Sequence, residues 1–406
     1  MSIKIHTIQS SDKKKFDDKV NFFLEYGCEL IDGGYEVIKK DDGVVYSQVI
    51  VFNNCEVEFY DDGEIKLLGS LNKDGKKDGK WTEWNGENKL VEETYKDGER
   101  HGKCTYWRYN GRKQSEATYK NGSLHGNCTE WNENGQKIRE ATYKDSFRNG
   151  KCTYWYENGQ KRSEGTYKDS FRNGYWSYWY ENGNIKRGGI VEKNHPYSRY
   201  SSPRDNPNYQ YKGKWTFFYK NGNYRSEGTY KDGDRNGYWT YWYENGNKEK
   251  EGRVNGSTLD GIKRIGKWTY WYENGQKHRE GTYVEEKYGE GKKDGNWTRW
   301  NEHGQKESEW NYKDGNPDGL TTYWYKNGNK RSDMNYKDGK WDGKQIKYYE
   351  DGQKKEEQIY KDGKLTSGKN WDEDGSIKKE AIYRDGKLVE KKKWNEDGTI
   401  DRVEEN

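Results

Sequence analysis

Three cysteines at a regular interval are the first candidates for chemistry in this sequence. Cys104, Cys128 and Cys152 each lie two residues after a glycine, and about 24 residues separate one from the next. Thiolates coordinate zinc and form disulfides, so the pattern raises both kinds of site. Either site requires the fold to bring the sulfur atoms within bonding distance, so the answer depends on the elements that carry them.

A glutamate recurs at the same interval and raises the question of catalysis. It precedes a small residue or Trp in segments such as SEGTY and REATY, at Glu116, Glu140, Glu164, Glu227, Glu280 and Glu309. Paired carboxylates can act as a general acid and a general base. An enzyme normally has one unique site, however, and here nearly every polar residue is duplicated. The sequence therefore predicts a protein that is not an enzyme, with no catalytic residue, no cofactor and no metal.

An aromatic position completes the recurring set. It is occupied by Trp84, Trp107, Trp131, Trp155, Trp179, Phe218, Trp242, Trp271, Trp300, Trp324 and Tyr348. Such a column could bind sugars or extended peptides through flat ring faces, and Trp155, Trp179, Trp242 and Trp271 are its candidate binding residues. The favoured alternative is structural, with each ring packed on its neighbours under the stem of Arg162 or Lys186.

The elements behind these columns are predicted to be β-hairpins. Segments such as KWTYWY are aromatic and β-branched, as strands require. Each is followed by Asn-Gly, Asp-Gly or His-Gly and returns to a Lys-Asp-Gly type of turn. About thirteen such units follow one another between 55 and 406. We expect a mainly β fold, an elongated antiparallel ribbon of hairpin repeats of about 24 residues, in which stability is local.

Asn158 and Gly159 set a register that can be tested within the sequence. If they form a two-residue type I′ loop, Glu157 pairs with Gln160, Trp155 with Arg162, and Cys152 with Gly165. The same register places Trp176, Trp215, Trp239 and Trp268 opposite glycines, and Cys104 and Cys128 opposite alanines. A large ring would thus cover a glycine. Trp297 opposite Trp310 breaks this rule.

The register also answers the question of the cysteines. Equivalent positions in successive hairpins lie two strands apart, or ~9.6 Å. That distance exceeds both the reach of a disulfide and the length of zinc–sulfur bonds. The three cysteines are interpreted as small hydrophobic residues that replace Trp.

Composition excludes several classes of function. The chain has 74 Lys and Arg against 70 Asp and Glu, and the two signs are interleaved, so nucleic acid is not an expected partner. The first residues lack the apolar run of a signal peptide, and no stretch is long and apolar enough to span a membrane. Five cysteines without close pairs complete the expectation of a reduced, cytoplasmic protein.

Residues 1–54 differ from the rest and are predicted to form a small domain or cap. A helix beginning at Ser11-Asp12 would place Phe16, Val20, Phe23 and Leu24 on one face. Two strands would follow, over 29–38 and 44–52. The pattern resembles a small bacterial domain of unknown function with β-α-β-β order, which implies no activity.

Insertions interrupt the repeat near 188–212, 253–265 and 284–294, all at the Lys-Asp-Gly edge. Loops on one edge of a rigid scaffold are candidates for recognition, and neutral loop expansion is the alternative. The longest insertion supplies the remaining candidate partner-binding residues, His195, Tyr197, Arg199, Tyr200, Arg204 and Tyr209.

The phrase GKWTYWYENGQK followed by EGTYKDG resembles the MORN-variant repeat, over roughly residues 56–405. Related bacterial proteins are often labelled antitoxins or immunity proteins. The resemblance implies a non-catalytic scaffold that sequesters a protein partner, such as a cognate toxin. Standard MORN repeats are linked to membranes, so a membrane-associated or structural scaffold is the alternative, not favoured because the chain lacks a dense basic surface. Carbohydrate binding by the Trp column is the third hypothesis. The oligomeric state stays open.

Overall fold

The structure is a computed structural model that describes residues 4–10, 13–26, 29–30, 36–40, 43–52, 54–61, 64–193, 209–258, 261–286 and 289–405. The chain divides into two compact units. The first comprises residues 1–184 and 191–193, and the second comprises 185–190 and 194–406. The mainly β class predicted from the sequence is confirmed, because antiparallel hairpins make up most of both units.

The N-terminal part of the first unit is a small sheet with one helix. Its elements are β1 (Lys4–Ser10), α1 (Lys13–Glu25), β2 (Glu29–Leu30), β3 (Glu36–Lys40) and β4 (Gly43–Phe52). The strand order is β1-β4-β2, and β3 also pairs with β4. The predicted strand 29–38 is therefore two strands, β2 and β3, and the residues between them lie outside the described part of the chain. Ser11 and Asp12, the predicted start of the helix, also lie outside it.

Helix α1 packs on the first hairpin residues of the same unit. Phe23 and Tyr26 are buried in one cluster with Val57, Leu68 and Trp84. The Tyr26 hydroxyl lies 2.5 Å from Thr82 Oγ1. Leu24, which was expected on the buried face, is 40% exposed, whereas Tyr26, the residue that follows the helix, is buried. The helix therefore covers the beginning of the hairpin array, while the predicted boundary at residue 54 stays a prediction.

The remaining strands of the first unit pair antiparallel with their sequence neighbours. The one variation is at the short strand β9, which pairs with the end of β8, while the rest of β8 pairs with β10. They are β5 (Cys55–Phe59), β6 (Ile65–Leu71), β7 (Lys77–Asn85), β8 (Asn88–Lys96), β9 (Glu99–Arg100), β10 (Gly102–Trp107), β11 (Lys113–Lys120), β12 (Ser123–Trp131), β13 (Lys137–Lys144), β14 (Phe147–Trp155), β15 (Lys161–Lys168) and β16 (Phe171–Trp179).

The second unit repeats the same hairpin pattern. Its strands are β17 (Ile185–Lys193), assigned to this unit as far as Ile190, β18 (Tyr209–Phe218), β19 (Tyr224–Lys231), β20 (Asp234–Trp242), β21 (Lys248–Thr258), β22 (Gly261–Trp271), β23 (Lys277–Val284), β24 (Lys292–Trp300), β25 (Lys306–Lys313), β26 (Asn316–Pro317), β27 (Gly319–Trp324), β28 (Lys330–Lys337), β29 (Lys340–Tyr348), β30 (Lys354–Lys361), β31 (Lys364–Trp371), β32 (Ile377–Arg384), β33 (Lys387–Trp394) and β34 (Ile400–Glu405). The insertion near 253–265 lengthens hairpin β21–β22, where Thr258 pairs with Gly261.

The two edges of each hairpin use different turns, which corrects the predicted loop. Gly159 N donates to Tyr156 O at 3.0 Å, and Tyr156 N donates to Gln160 O at 2.9 Å. Residues 157–159 thus form a three-residue loop, and of these three Gly159 has the positive φ, 83°. The two-residue loop with two positive φ values lies at the other edge, for example at Asp169 and Ser170 between Lys168 and Phe171.

A β-bulge follows the three-residue loop and restores the predicted register. Trp155 pairs with Lys161, so the predicted pair of Trp155 with Arg162 is wrong. One residue further from the turn the register shifts, and Cys152 pairs with Gly165 as predicted. The shorter loop was predicted from the preference of Asn-Gly for type I′ turns. Here the Asn158 side chain instead accepts a hydrogen bond from Gln160 N, which stabilises the longer loop.

Candidate functional site

The aromatic column of the first unit is built into contacts between successive hairpins. The Tyr156 hydroxyl donates to Trp179 O at 2.9 Å, and Lys161 Nζ lies 5.7 Å from the centroid of the Trp179 ring. Lys137 covers Trp155 in the same way at 5.8 Å. The covering residue is the lysine paired beside the bulge and not Arg162, whose guanidinium lies over the Tyr154 ring. Trp155 and Trp179 thus make the packing contacts that the structural alternative describes, and their role in binding stays a prediction.

The same contacts recur within the second unit. Tyr219 and Tyr243 donate hydroxyl hydrogens to the backbone oxygens of Trp242 and Trp271 at 2.9 and 2.8 Å. Lys248 lies over Trp271 at 5.5 Å, and Tyr224 takes the place of lysine beside Trp242 with the ring centroids 5.4 Å apart. The aromatic column extends beyond Tyr348, the last member identified from the sequence. The hydroxyl of Tyr349 donates to Trp371 O, which is the same contact that the earlier column tryptophans accept.

The recurring glutamates are held by lysines. Glu164 pairs with Lys161 at 2.9 Å and with Lys151 at 3.2 Å, and it accepts a hydrogen bond from Thr153. Burial opposes ionisation of Glu164, but the hydrogen bonds from the two lysines outweigh it and lower its pKa. Glu116, Glu280 and Glu357 are each held by the equivalent two lysines of their own hairpins, and their pKa values are lowered in the same way. An ionised, fully partnered carboxylate is a structural group rather than a general acid.

On the opposite side of the sheet, each large ring lies over a glycine of the preceding strand. Trp239 pairs with Gly252 inside its hairpin as predicted, and also with Gly228 across the other turn. A Cβ at Gly228 would lie 2.2 Å from the Trp239 ring, so Gly228 provides the space. Trp239 is fully buried. The predicted register is therefore confirmed, but the glycine that accommodates the ring is the preceding one.

This rule accounts for the exception at Trp297. Its ring occupies the space above Gly281, where a Cβ would approach within 2.1 Å, so Trp310 on the following strand need not be small. Trp310 packs against Tyr312 and Tyr336, with ring centroids 5.8 and 5.9 Å away.

The cysteines occupy the same inner column in the first unit. Cys104, Cys128 and Cys152 pair with Ala117, Ala141 and Gly165, and all three are buried, free thiols. Burial raises the pKa of each thiol. Within the described part of the chain, no group of three or more His, Cys, Asp or Glu side chains is arranged to hold a metal ion. These cysteines pack as small hydrophobic residues.

Glu93 is a feature that the sequence reading missed. It occupies the inner column, where the following hairpins of the first unit hold Ala117, Ala141 and Gly165, and it is 8% exposed. Arg100 pairs with Glu93 at 2.8 Å, Tyr106 donates to it at 2.5 Å, and Tyr95 donates to its other oxygen. Burial and the hydrogen bond to Glu93 raise the pKa of Tyr95 to about 12. Alignment of VEETY with SEGTY could have revealed this buried carboxylate.

Six candidate residues belong to the longest insertion. His195, Tyr197, Arg199, Tyr200 and Arg204 are outside the described residues, and of Tyr209 only the backbone, at the start of β18, is described. The structure places Trp155 and Trp179 in successive hairpins of the first unit, and Trp242 and Trp271 in successive hairpins of the second.

The hairpins and their interlocked columns define a β-hairpin repeat protein. A sequence model described as the MORN repeat variant matches just over half of the chain, so the chain belongs to the MORN repeat variant family. The matched segments are 100–121, 124–145, 148–169, 172–187, 211–232, 235–254, 264–285, 293–314, 317–338 and 341–362. Repeats of this kind are non-catalytic and generally act as scaffolds that bind proteins or membranes.

No curated protein matches the chain. Among the described helical residues, none form a segment of the length and apolarity needed to cross a bilayer.

Proposed function

We propose that this chain is a non-catalytic scaffold that binds and masks a partner protein. The observation that carries the proposal is a set of large aromatic side chains left exposed on an otherwise interlocked surface. In the first unit Tyr109, Phe147 and Tyr175 are 75%, 58% and 59% exposed, and in the second unit Tyr224 and Tyr238 are 50% and 52% exposed. Tyrosine and phenylalanine are enriched in the centres of protein interfaces.

The recurring tryptophans and glutamates also support a binding function over catalysis, because their side chains are already engaged within the hairpin array. The column tryptophans are covered by lysines, and the recurring glutamates are held by lysines of their own hairpin. Binding energy would therefore come from shape and from exposed ring surface such as that of Tyr109, Phe147 and Tyr175. This favours stoichiometric occlusion of a partner over turnover of a substrate.

The finer form of the proposal is an antitoxin or immunity protein of a bacterium, acting in the cytoplasm on a cognate toxin. It rests on the resemblance of the repeat to proteins with that label. A scaffold of this kind would neutralise the toxin by covering its active surface for as long as the complex lasts.

Co-expression with a toxin encoded beside this gene tests the proposal. We expect restored growth and a stable complex of defined stoichiometry by light scattering. The paired variant Tyr109→Ser/Phe147→Ser should weaken the complex without unfolding the protein, since both side chains are exposed. Lys355→Ser is the control for an exposed substitution. Absence of both rescue and complex would remove the antitoxin assignment, and equal binding by the paired variant would move the interface elsewhere.

Two other hypotheses are less well supported. An anionic membrane would be attracted by unpaired lysines, whereas Lys103, Lys151, Lys214 and Lys267 are paired with glutamates. Salt-sensitive binding to phosphatidylserine vesicles would favour the membrane alternative. Carbohydrate binding would need free Trp faces, and quenching of Trp fluorescence by a polysaccharide would favour it.

A further inference from the structure

Asn-Gly pairs recur in the three-residue loops, where the asparagine side chain normally closes the turn and bridges to the next hairpin. Asn158 Oδ1 accepts a hydrogen bond from Gln160 N at 3.0 Å, and Asn158 Nδ2 donates to Glu181 O in the following loop at 2.7 Å. Asn274 makes both contacts in the second unit. Backbone groups therefore hold the side-chain amide of a regular loop at both of its polar atoms.

The loop between β12 and β13 is built differently. Asn132 stands where the loop above has Tyr156, and its Oδ1 accepts hydrogen bonds from Asn134 N and Gln136 N, both at 3.0 Å. Asn132 thus closes the turn in place of the asparagine that precedes glycine. Among the described residues, the exposed side chain of Asn134 has no hydrogen-bond partner at Oδ1 or at Nδ2.

The other Asn-Gly loops at this edge keep the regular contact at the asparagine oxygen. It accepts a hydrogen bond from the backbone two residues on at Asn110, Asn182, Asn221, Asn245 and Asn327. Within the described part of the chain, Asn134 is therefore the member of this set whose side-chain oxygen is not held.

An Asn-Gly pair contains both a nucleophile and a leaving group. The backbone nitrogen of Gly135 can lose its proton and attack Cγ of Asn134, because glycine has no side chain to shield that nitrogen. The N–Cγ bond forms, the Cγ–Nδ2 bond breaks, and the amide group takes up the proton and leaves as ammonia. Water then opens the resulting succinimide at either carbonyl, which gives aspartate or isoaspartate without any oxidant or reductant.

The two kinds of loop differ at the electrophile and not at the nucleophile. Gly135 N donates to Asn132 O and Gly159 N donates to Tyr156 O, each at 3.0 Å, and the two glycines have φ values of 82° and 83°. In the regular loop, however, the side chain must release two hydrogen bonds before Cγ can turn towards the nitrogen. A net hydrogen bond changes such an equilibrium about fivefold, so Asn134 should react faster than Asn158.

We propose that Asn134 is a modification site, at which spontaneous deamidation converts Asn-Gly to aspartate and isoaspartate in the folded protein. The product places a carboxylate beside Glu133, which is exposed in the same loop. Because the Asn134 side chain bonds to no other hairpin in the described structure, the charge of this loop changes while the array stays folded. The inference does not depend on protein binding as the function.

The chain supplies its own matched controls, because Asn134, Asn158 and Asn274 all lie in the sequence Glu-Asn-Gly-Gln-Lys. The whole folded chain is incubated in neutral buffer, and peptide mapping by mass spectrometry follows the exchange of NH₂ for OH at each asparagine. We expect Asn134 to react about tenfold faster than the other two in the folded chain. In urea the three rates should become equal. Equal rates in the folded chain, or the same difference in urea, would overturn the assignment.

Exchanging the residue two positions earlier tests the structural cause. Asn132→Tyr restores the sequence of the regular loops and should slow the reaction at Asn134, whereas Tyr156→Asn should accelerate it at Asn158. Asn301→Tyr is the control, since Asn301 closes a loop in the same way but no Asn-Gly follows it. Unchanged rates in the first two variants would show that these hydrogen bonds do not govern the reaction.

Stability provides a separate measurement. Asn134→Asp should keep the urea midpoint of the wild-type chain, whereas Asn158→Asp should lower it, because a carboxylate cannot donate to Glu181 O. An equal loss in both variants would show that the Asn134 side chain holds neighbouring hairpins together, which contradicts the proposal.

Discussion

Two sets of hairpins solve the same packing problem with different side chains. In the first unit, Cys104, Cys128 and Cys152 alternate with Ala117 and Ala141 along the inner column. In the second unit, tryptophans alternate with glycines between Trp215 and Trp297. Both sets keep the same strand register. Within these two sets, backbone pairing is therefore the same whether a Trp follows a glycine or Cys128 and Cys152 follow an alanine.

The largest effect is expected where a ring is removed from the Trp–Gly column. Trp239→Cys should lower the free energy of unfolding of its hairpins by about 3 kcal/mol, because Gly228 leaves a cavity that cysteine cannot fill. Hydrogen exchange of the amides of β19–β21 measures the loss locally, as the stability of repeats is local. An unchanged exchange pattern would show that the ring is dispensable.

The reciprocal substitution should be less costly and coupled to the first. Gly228→Ala places a Cβ 2.2 Å from the Trp239 ring and should destabilise the hairpins by about 2 kcal/mol. Combined with Trp239→Cys it recreates the pairing of the first unit. The double variant should be more stable than the sum of the two single losses predicts, and strict additivity would contradict the role of Gly228 as the space for the ring.

Glu93 makes part of the stability of the first unit sensitive to alkaline pH. Burial and Glu93 raise the pKa of Tyr95 to about 12, whereas an unfolded tyrosine titrates near about 10. The unfolded state loses its proton first. This contribution to stability is therefore complete below about pH 10 and is lost as the pH rises towards about 12.

The urea midpoint followed against pH measures this loss. In Glu93→Gln the pKa of Tyr95 should fall and the alkaline loss from this group should shrink. Glu92→Gln, which alters the neighbouring carboxylate held by Lys89, is the control. An identical alkaline profile for all three chains would exclude the link between Glu93 and Tyr95.

The smallest effect is expected at the lysine that covers a column tryptophan. Lys161→Met keeps the aliphatic stem but removes the ammonium from the Trp179 ring and from Glu164. The expected loss is about 0.5–1 kcal/mol, because both contacts are partly exposed. A double-mutant cycle with Trp179→Leu isolates the cation–π contribution, and a coupling energy near zero would count against it.

Much of the candidate site followed from periodicity, and the errors in the pairing near the Asn-Gly loop share one cause. Alternation along a strand assigns residues to faces, so Cys152 opposite Gly165 was predictable from the residues alone. A bulge at Trp155 changes the partner of that ring from Arg162 to Lys161. The bulge accompanies a three-residue loop, which the hydrogen bond from Gln160 N to the Asn158 side chain stabilises and which strand alternation alone does not predict.

The sequence by itself determined the repeat, the mainly β class and the separation that keeps the three cysteines apart. These depend on turn chemistry, strand propensity and the constant distance between strands. Only the tertiary structure decided which of two glycines accommodates each Trp, because that depends on which way the ring leans across the sheet. It also placed Tyr106 of the following hairpin on Glu93, because alternation along a strand cannot specify which side chains of neighbouring hairpins meet.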